Sequence, residues 1–230
     1  MRMEMDIIVA RGGFQVACQA SFGPGVHMIS GQVGSGKTTL ALAMASLIPY
    51  QGRLDKEGVG DVLMSFQFPE HHITASRLDD EVRSWGLDPE QVLPGIGLDD
   101  RRGSDPLHLS RGGLKRLNLA CVLARDPDLL ILDEPFSSLD CVAKSQLCRA
   151  IEDRKGKITL LFSHERSVLP RVDTLSHVEY GRLIHHGTVP GSIAAWQGAP
   201  PYIRQTLQSG ARPENITHKD AREAICRMRD

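Results

Sequence analysis

Apolar and polar positions along this chain fall into short blocks with two distinct periods. Residues 5–30 read as short strands, separated by Gly-Gly at 12–13 and Gly-Pro-Gly at 23–25. The last of these, VHMIS at 26–30, runs into a glycine-rich loop. KTTLALAMASLI at 37–48 is apolar on most sides and stops before Pro49, which predicts a helix buried between layers. DVLMSF at 61–66 predicts a further strand. Residues 110–125 predict a helix, followed by the most apolar strand, LLILD at 129–133. A helix at 140–153 then leads into the strand ITLLFS at 158–163. Strands alternating with helices imply an α/β fold whose mostly parallel sheet is covered on both faces.

Two stretches differ from this rhythm. Residues 70–108 are more polar, carry Pro89, Pro94 and Pro106, and hold one short helix at 76–86. They read as a small insertion, and with the following helix they define a helical subdomain at about 70–125. The tail from about 190 contains PPYIRQTLQSG and then THKDAREAICRM. Thr217 and Asp220 resemble a helix-starting capping box, and Ala221, Ala224, Ile225 and Met228 fall on one side of the helix they start. That face meets either its own domain or a partner. The expected division is a main domain at 1–190 and a small C-terminal helical extension at 191–230.

Composition narrows the class. The chain has 230 residues, 41% hydrophobic and 24% charged, with 27 basic and 28 acidic residues and a net charge of -1. A nucleic-acid binder usually carries a basic excess, so no nucleic-acid partner is expected. Five cysteines without a CxxC pair argue against a disulfide framework and fit a reducing compartment. The N-terminal MRMEMDIIVA lacks a secretory apolar core, and no apolar run approaches the ~20 residues that span a bilayer. The expectation is a soluble protein, brought to any membrane by a partner.

The chemistry begins at GQVGSGKT, residues 31–38, which matches GxxxxGK[ST] between a strand and a helix. Successive backbone N–H groups in such a loop, with the helix N-terminus behind them, cradle phosphate. Lys37 would reach the β- and γ-phosphates, and Thr38 would offer a hydroxyl to Mg²⁺. Gly31, Gln32, Val33, Gly34, Ser35, Gly36, Lys37, Thr38 and Thr39 are the candidate nucleotide-binding residues.

Asp133 and Glu134 close the strand LLILD, at the sheet edge where α/β proteins bind ligands. Asp133 is a candidate Mg²⁺ holder, and Glu134 a candidate to polarise the water that attacks the γ-phosphate. His164 ends the next strand and would be delivered to the same edge, where it could donate to the γ-phosphate. The other histidines, His71–His72 and His185–His186 among them, lack metal-ligand spacing and read as surface or interface residues.

The order of these motifs resembles the ABC ATPase family of P-loop NTPases. Gln67 sits after a strand, like the family's lid glutamine, which senses Mg²⁺ and the γ-phosphate. LSRGGLKRLNLA at 109–120 is similar to the family signature, usually LSGGQ, and SSLD at 137–140 resembles the D-loop, with Asp140 as its acid. The resemblance implies an ATP- and Mg²⁺-dependent ATPase with an antiparallel N-terminal β-subdomain beside the core sheet. It also implies a second cassette, a copy or a different subunit, whose nucleotide is covered by Ser110, Gly112 and Gly113 of this one. Arg111 departs from the pattern, standing where the first signature glycine is expected, and Gly113 stands in the glutamine position. The aromatic that usually stacks on adenine has Phe14 as its nearest candidate here; the alternative is a strand residue packed inward.

FQFPEHHI at 66–73 and the PP-x-x-x-x-x-L-x-x-x-G tail resemble energy-coupling factor transporter ATPases. That resemblance implies integral membrane partners, a peripheral position on the cytoplasmic side of the cell membrane, and uptake of a metal ion or vitamin. Other readings are the ATPase of an ordinary ABC importer or exporter, a DNA-maintenance ATPase, and a regulatory cassette without turnover. The short span from Gln67 to Ser110 has no sustained heptads, against the DNA-maintenance reading. Glu134 and His164 argue for turnover.

Overall fold

In the computed structural model, which describes residues 1–228, the alternating blocks become nine strands and seven α-helices among the described residues. The strands are β1 (Arg2–Arg11), β2 (Phe14–Phe22), β3 (Gly25–Gly31), β4 (Gln51–Glu57), β5 (Val62–Ser65), β6 (Leu129–Asp133), β7 (Ile158–Phe162), β8 (Thr174–Glu179) and β9 (Arg182–Thr188). The helices are α1 (Lys37–Met44), α2 (Leu78–Ser84), α3 (Pro89–Gly95), α4 (Arg111–Ala124), α5 (Cys141–Glu152), α6 (Pro201–Gln208) and α7 (His218–Cys226).

One sheet holds all nine strands in the order β4-β1-β2-β9-β8-β3-β7-β6-β5. The run from β8 through β3, β7 and β6 to β5 is parallel, whereas β1 pairs antiparallel with both β2 and β4. The expected mixture of a parallel core and an antiparallel N-terminal part is present, joined as a single sheet by the parallel pair β2–β9.

Every side chain of β6 and β7 is buried, as continuous apolar strands require when both sheet faces are covered. The period of two divides β6 between two cores. Leu130 and Leu132 pack with α4, α5 and the C-terminal tail, and Leu129 and Ile131 with α1 and the strands β1 and β2. A third, smaller core joins Leu78, Val82 and Leu93 of the helical insertion to Leu114, Leu117 and Cys121 of α4. Helix α4 therefore serves two cores at once.

The tail packs on the main body. Ile203 of α6 and Ala221 of α7 lie in the same core as Leu130 and Leu161. Asn215 Oδ1 accepts from Val172 N at 3.0 Å, and its Nδ2 donates to Val172 O at 2.9 Å. Thr217 caps α7 as expected, accepting from Asp220 N at 3.2 Å. Ala221 and Ala224 are buried by this docking, Ile225 is half-buried, and Met228 stays exposed.

The structure corrects several expectations. Helix α1 ends at Met44, because Ser46 enters the left-handed region at φ +60° and leaves Leu47 54% exposed. β7 ends at Phe162, so His164 lies two residues past the strand. His72 is half-buried rather than superficial, with its ring stacked on Phe66 at 4.5 Å. All five cysteines are free. Among the described residues no helix is long and apolar enough to cross a membrane.

Candidate functional site

The parallel strands β3, β6 and β7 deliver three loops to one edge of the sheet. The loop after β3 is the glycine-rich one. Gly36 stands at φ +105°, and a Cβ there would meet Val16 Cγ2 at 2.5 Å and Phe14 Cε1 at 2.9 Å. Only glycine lets the loop lie this close to β2. Lys37 follows as the first residue of α1, nearly buried, donating to Gly31 O at 2.9 Å and Gln32 O at 3.1 Å. These bonds hold the ammonium inside the loop, where a phosphate oxygen would compete for it.

Thr38 and Asp133 meet across the edge: Thr38 Oγ1 donates to Asp133 Oδ2 at 2.8 Å. Burial pushes the Asp133 carboxyl up, with Glu134 adding to it and the Thr38 bond and Lys115 opposing. Asp133 Oδ1 and Ser35 Oγ are buried without a hydrogen-bond partner. A buried carboxylate oxygen and a buried hydroxyl left unpaired are costly unless a ligand satisfies them. A spare buried acceptor beside Thr38 and a spare buried donor in the glycine-rich loop are what a magnesium–phosphate group needs, so these residues fit one.

Glu134 adopts φ +48°, a rarely populated conformation for a residue with a side chain, and its N–H is tied to Phe162 O at 2.8 Å. The carboxylate is enclosed by β7's end. Oε2 accepts from Ser163 Oγ and His164 N, each at 3.2 Å, and Oε1 lies 2.8 Å from His164 Nδ1. Lys37 Nζ lies 3.5 Å from Oε1. Thus Lys37, Thr38, Asp133, Glu134 and His164, apart by up to 127 positions in sequence, form one connected group.

A cleft of about 940 Å³ opens beside them, lined by Phe14, Gln32–Ser35, Glu134, His164 and Tyr180 among others. Phe14 is 39% exposed and borders the cleft, against the inward-packed alternative. Gly31 lines it too, while Thr39 lies deeper, in α1.

Other candidates are placed elsewhere. Ser110 caps α4, its Oγ accepting from Gly113 N at 3.1 Å, and a Cβ on Gly112 would meet Ser138 O at 2.6 Å. The signature turn therefore packs against the loop at 137–140, with Arg111 exposed in its first turn. Asp140 caps α5 through Ala143 N at 2.8 Å and borders a separate depression with Leu139 and Val142. Gln67 is half-buried outside the cleft lining.

Sequence reasoning missed Lys115, which links these parts. It is fully buried in α4 and donates to Phe66 O at 2.9 Å and Gln67 O at 3.3 Å. Burial pushes its ammonium down to about 8, against the pull of Asp133, Glu134 and Glu70. A lysine among the mostly apolar positions Leu114, Leu117, Leu119 and Cys121 was the available signal. Trp196 was missed as well: its Nε1 donates to Ser30 Oγ at 2.8 Å, just before the phosphate loop.

Comparison with known proteins agrees with this geometry. A family model described as ABC transporter matches residues 21–137. The energy-coupling factor transporter ATP-binding protein EcfA2 of Thermotoga maritima is 33% identical, over 86% of this chain and 86% of its own. EcfA1 of the same organism is 33% identical over 69% of each chain. A solved structure described as a cobalt transport ATP-binding protein superposes with a TM-score of 0.65 at 22% identity, covering 84% of this chain and 81% of its own.

Proposed function

Because this chain belongs to the ABC transporter ATP-binding family, whose members hydrolyse ATP, we propose that it is the ATPase of an energy-coupling-factor-type uptake system for a metal ion or vitamin. The observation that carries the ATPase chemistry is the connected group Lys37–Glu134–His164 beside Thr38–Asp133. The uptake assignment draws its support from relatives whose names contain that transporter type.

In this reading Gly31–Thr39 cradle the phosphates, and Lys37 exchanges its carbonyl contacts for the β- and γ-phosphate oxygens. Thr38 and Asp133 would hold Mg²⁺, which when bound neutralises charge on the phosphates. Glu134 accepts a proton from the attacking water. His164, fixed by that carboxylate, positions the water and the terminal phosphate. Gln67 belongs to the lid, and Lys115 holds its backbone.

Ser110, Gly112, Gly113 and Asp140 act at the face between two cassettes, where the signature of one covers the nucleotide of the other. Arg111 makes a different subunit opposite this chain as reasonable as a second copy. The functional division is a cassette at 1–190, with the helical subdomain at about 70–125 meeting integral membrane subunits, and an extension at 191–230. The protein then lies peripherally on the cytoplasmic side of the membrane.

Affinity purification from detergent-solubilised membranes tests the assignment. An integral membrane scaffold and a second cassette should co-purify, and ATP should drive substrate uptake by the reconstituted complex. Recovery on DNA without a membrane protein contradicts it.

A further inference from the structure

The β8–β9 hairpin turns through two residues, Tyr180 and Gly181, between the paired Glu179 and Arg182. Both have positive φ, 45° and 71°. Hairpin turns of this kind favour asparagine, aspartate and glycine, which tolerate the left-handed region. Gly181 meets that demand and a second one, since a Cβ there would lie 2.2 Å from Gln15 O. Tyr180 does not suit the backbone conformation. It is 92% exposed, so burial does not account for a bulky ring in an unfavourable backbone conformation. Strained conformations of this sort persist where a ligand clamp needs a side chain aimed from a fixed point.

The surroundings identify the ligand. Ala17 N donates to Gly181 O at 2.7 Å, which fastens the turn to β2. The Cβ position of Gly181 lies 3.6 Å from Phe14 Cζ, and that of Gly36 lies 2.9 Å from Phe14 Cε1. Hairpin tip, Phe14 and phosphate loop are thus contiguous. Tyr180, Phe14 and Gln32–Ser35 line the same cleft. A nucleotide whose phosphates occupy the loop places its base a sugar's length away, on the rim where these two rings stand. Each ring has an exposed surface, and a purine offers a flat π-face that stacks on aromatic side chains.

We propose that Tyr180 is a base-binding residue: its ring, carried on the rigid β8–β9 turn, works with Phe14 to hold the purine base of the nucleotide. The proposal rests on the nucleotide-binding reading above. It assigns the base contact to two elements distant in sequence, β2 and the β8–β9 turn. It also explains why the turn keeps a tyrosine where asparagine would suit the backbone better.

Calorimetric titration of the purified chain with Mg-ATP and with magnesium tripolyphosphate tests this, because tripolyphosphate has no base. The variants are Tyr180→Asn, which suits the turn and so folds, and Tyr180→Phe, which keeps the ring. Tyr180→Asn should weaken ATP binding about tenfold, within the range of a lost base–aromatic stack, and leave tripolyphosphate binding unchanged. Tyr180→Phe should retain ATP affinity, and Tyr180→Asn should melt no lower than the parent. Equal ATP affinity in Tyr180→Asn and the parent overturns the proposal, as does an equal loss for ATP and tripolyphosphate. If the parent binds neither ligand, the nucleotide reading itself fails, and the proposal with it.

Discussion

His164 Nδ1 lies 2.8 Å from Glu134 Oε1, so the loop after β7 and the end of β6 meet at these two side chains. In the proposed reaction the ring, held against that carboxylate, positions the attacking water and the terminal phosphate. His164→Ala should therefore lower kcat about 10²–10³-fold, the usual cost of removing one positioned donor. ATP affinity should change little, since Lys37 and the loop remain. Single-turnover hydrolysis with a parallel binding titration separates the two; a matched loss of affinity and rate would assign His164 to binding alone.

Lys115 is the buried tie between α4 and the backbone at Phe66 and Gln67. Lys115→Met removes the donor from the Phe66 and Gln67 carbonyls. At about 1–3 kcal/mol for an unsatisfied group, the melting temperature should fall by about 3–10 °C. Under the proposed role of Gln67, turnover should fall too, as that segment loses its fixed backbone. Differential scanning calorimetry decides the first point, and an unchanged melting temperature would show that the tie is energetically idle.

Burial, then the Lys115 ammonium, pushes His72 down to about 4. Its neutral ring accepts from Phe66 N at 3.1 Å. Because the folded-state value lies below the ordinary 6.5, the unfolded chain takes up the proton first. The contribution of His72 is complete above about pH 6.5 and is lost as the pH falls toward about 4. His72→Gln does not titrate, so its melting temperature should decline less over that window than the parent's. Parallel slopes for the two proteins would sink the assignment.

Asn215 ties the tail to Val172 through both backbone groups. Asn215→Ala leaves that N–H and C=O buried without the partner, at about 1–3 kcal/mol each. The melting temperature should drop by several degrees while Mg-ATP affinity in a titration stays at the parent's value. A loss of affinity as large as in a phosphate-loop variant would instead place the tail within the site.

How far the sequence displays this architecture depends on what each residue packs against. β6 and β7 were legible because a strand buried on both faces must be apolar throughout, as LLILD and ITLLF are. The loop at 31–38 and the Asp133–Glu134 pair were legible because phosphate chemistry constrains both residue type and spacing. β4 escaped notice: as an edge strand it is held by backbone pairing with β1, and Gln51, Gly52 and Arg53 are exposed. β8 was hidden by buried polar residues that the neighbouring strand satisfies, Ser176 paired with His185 and His177 with His186. Lys115 and Trp196 act through partners 48 and 166 positions away, which no local pattern reveals.

In the proposed reaction this chain hydrolyses ATP with Glu134 as the proton acceptor. Steady-state phosphate release by Glu134→Gln, with Mg-ATP binding measured on the same preparation, tests it most directly. The substitution keeps shape and removes the charge. ATP binding should persist, and turnover should fall about 10²–10⁴-fold, the range for losing a positioned general base. Turnover equal to the parent's would contradict the account.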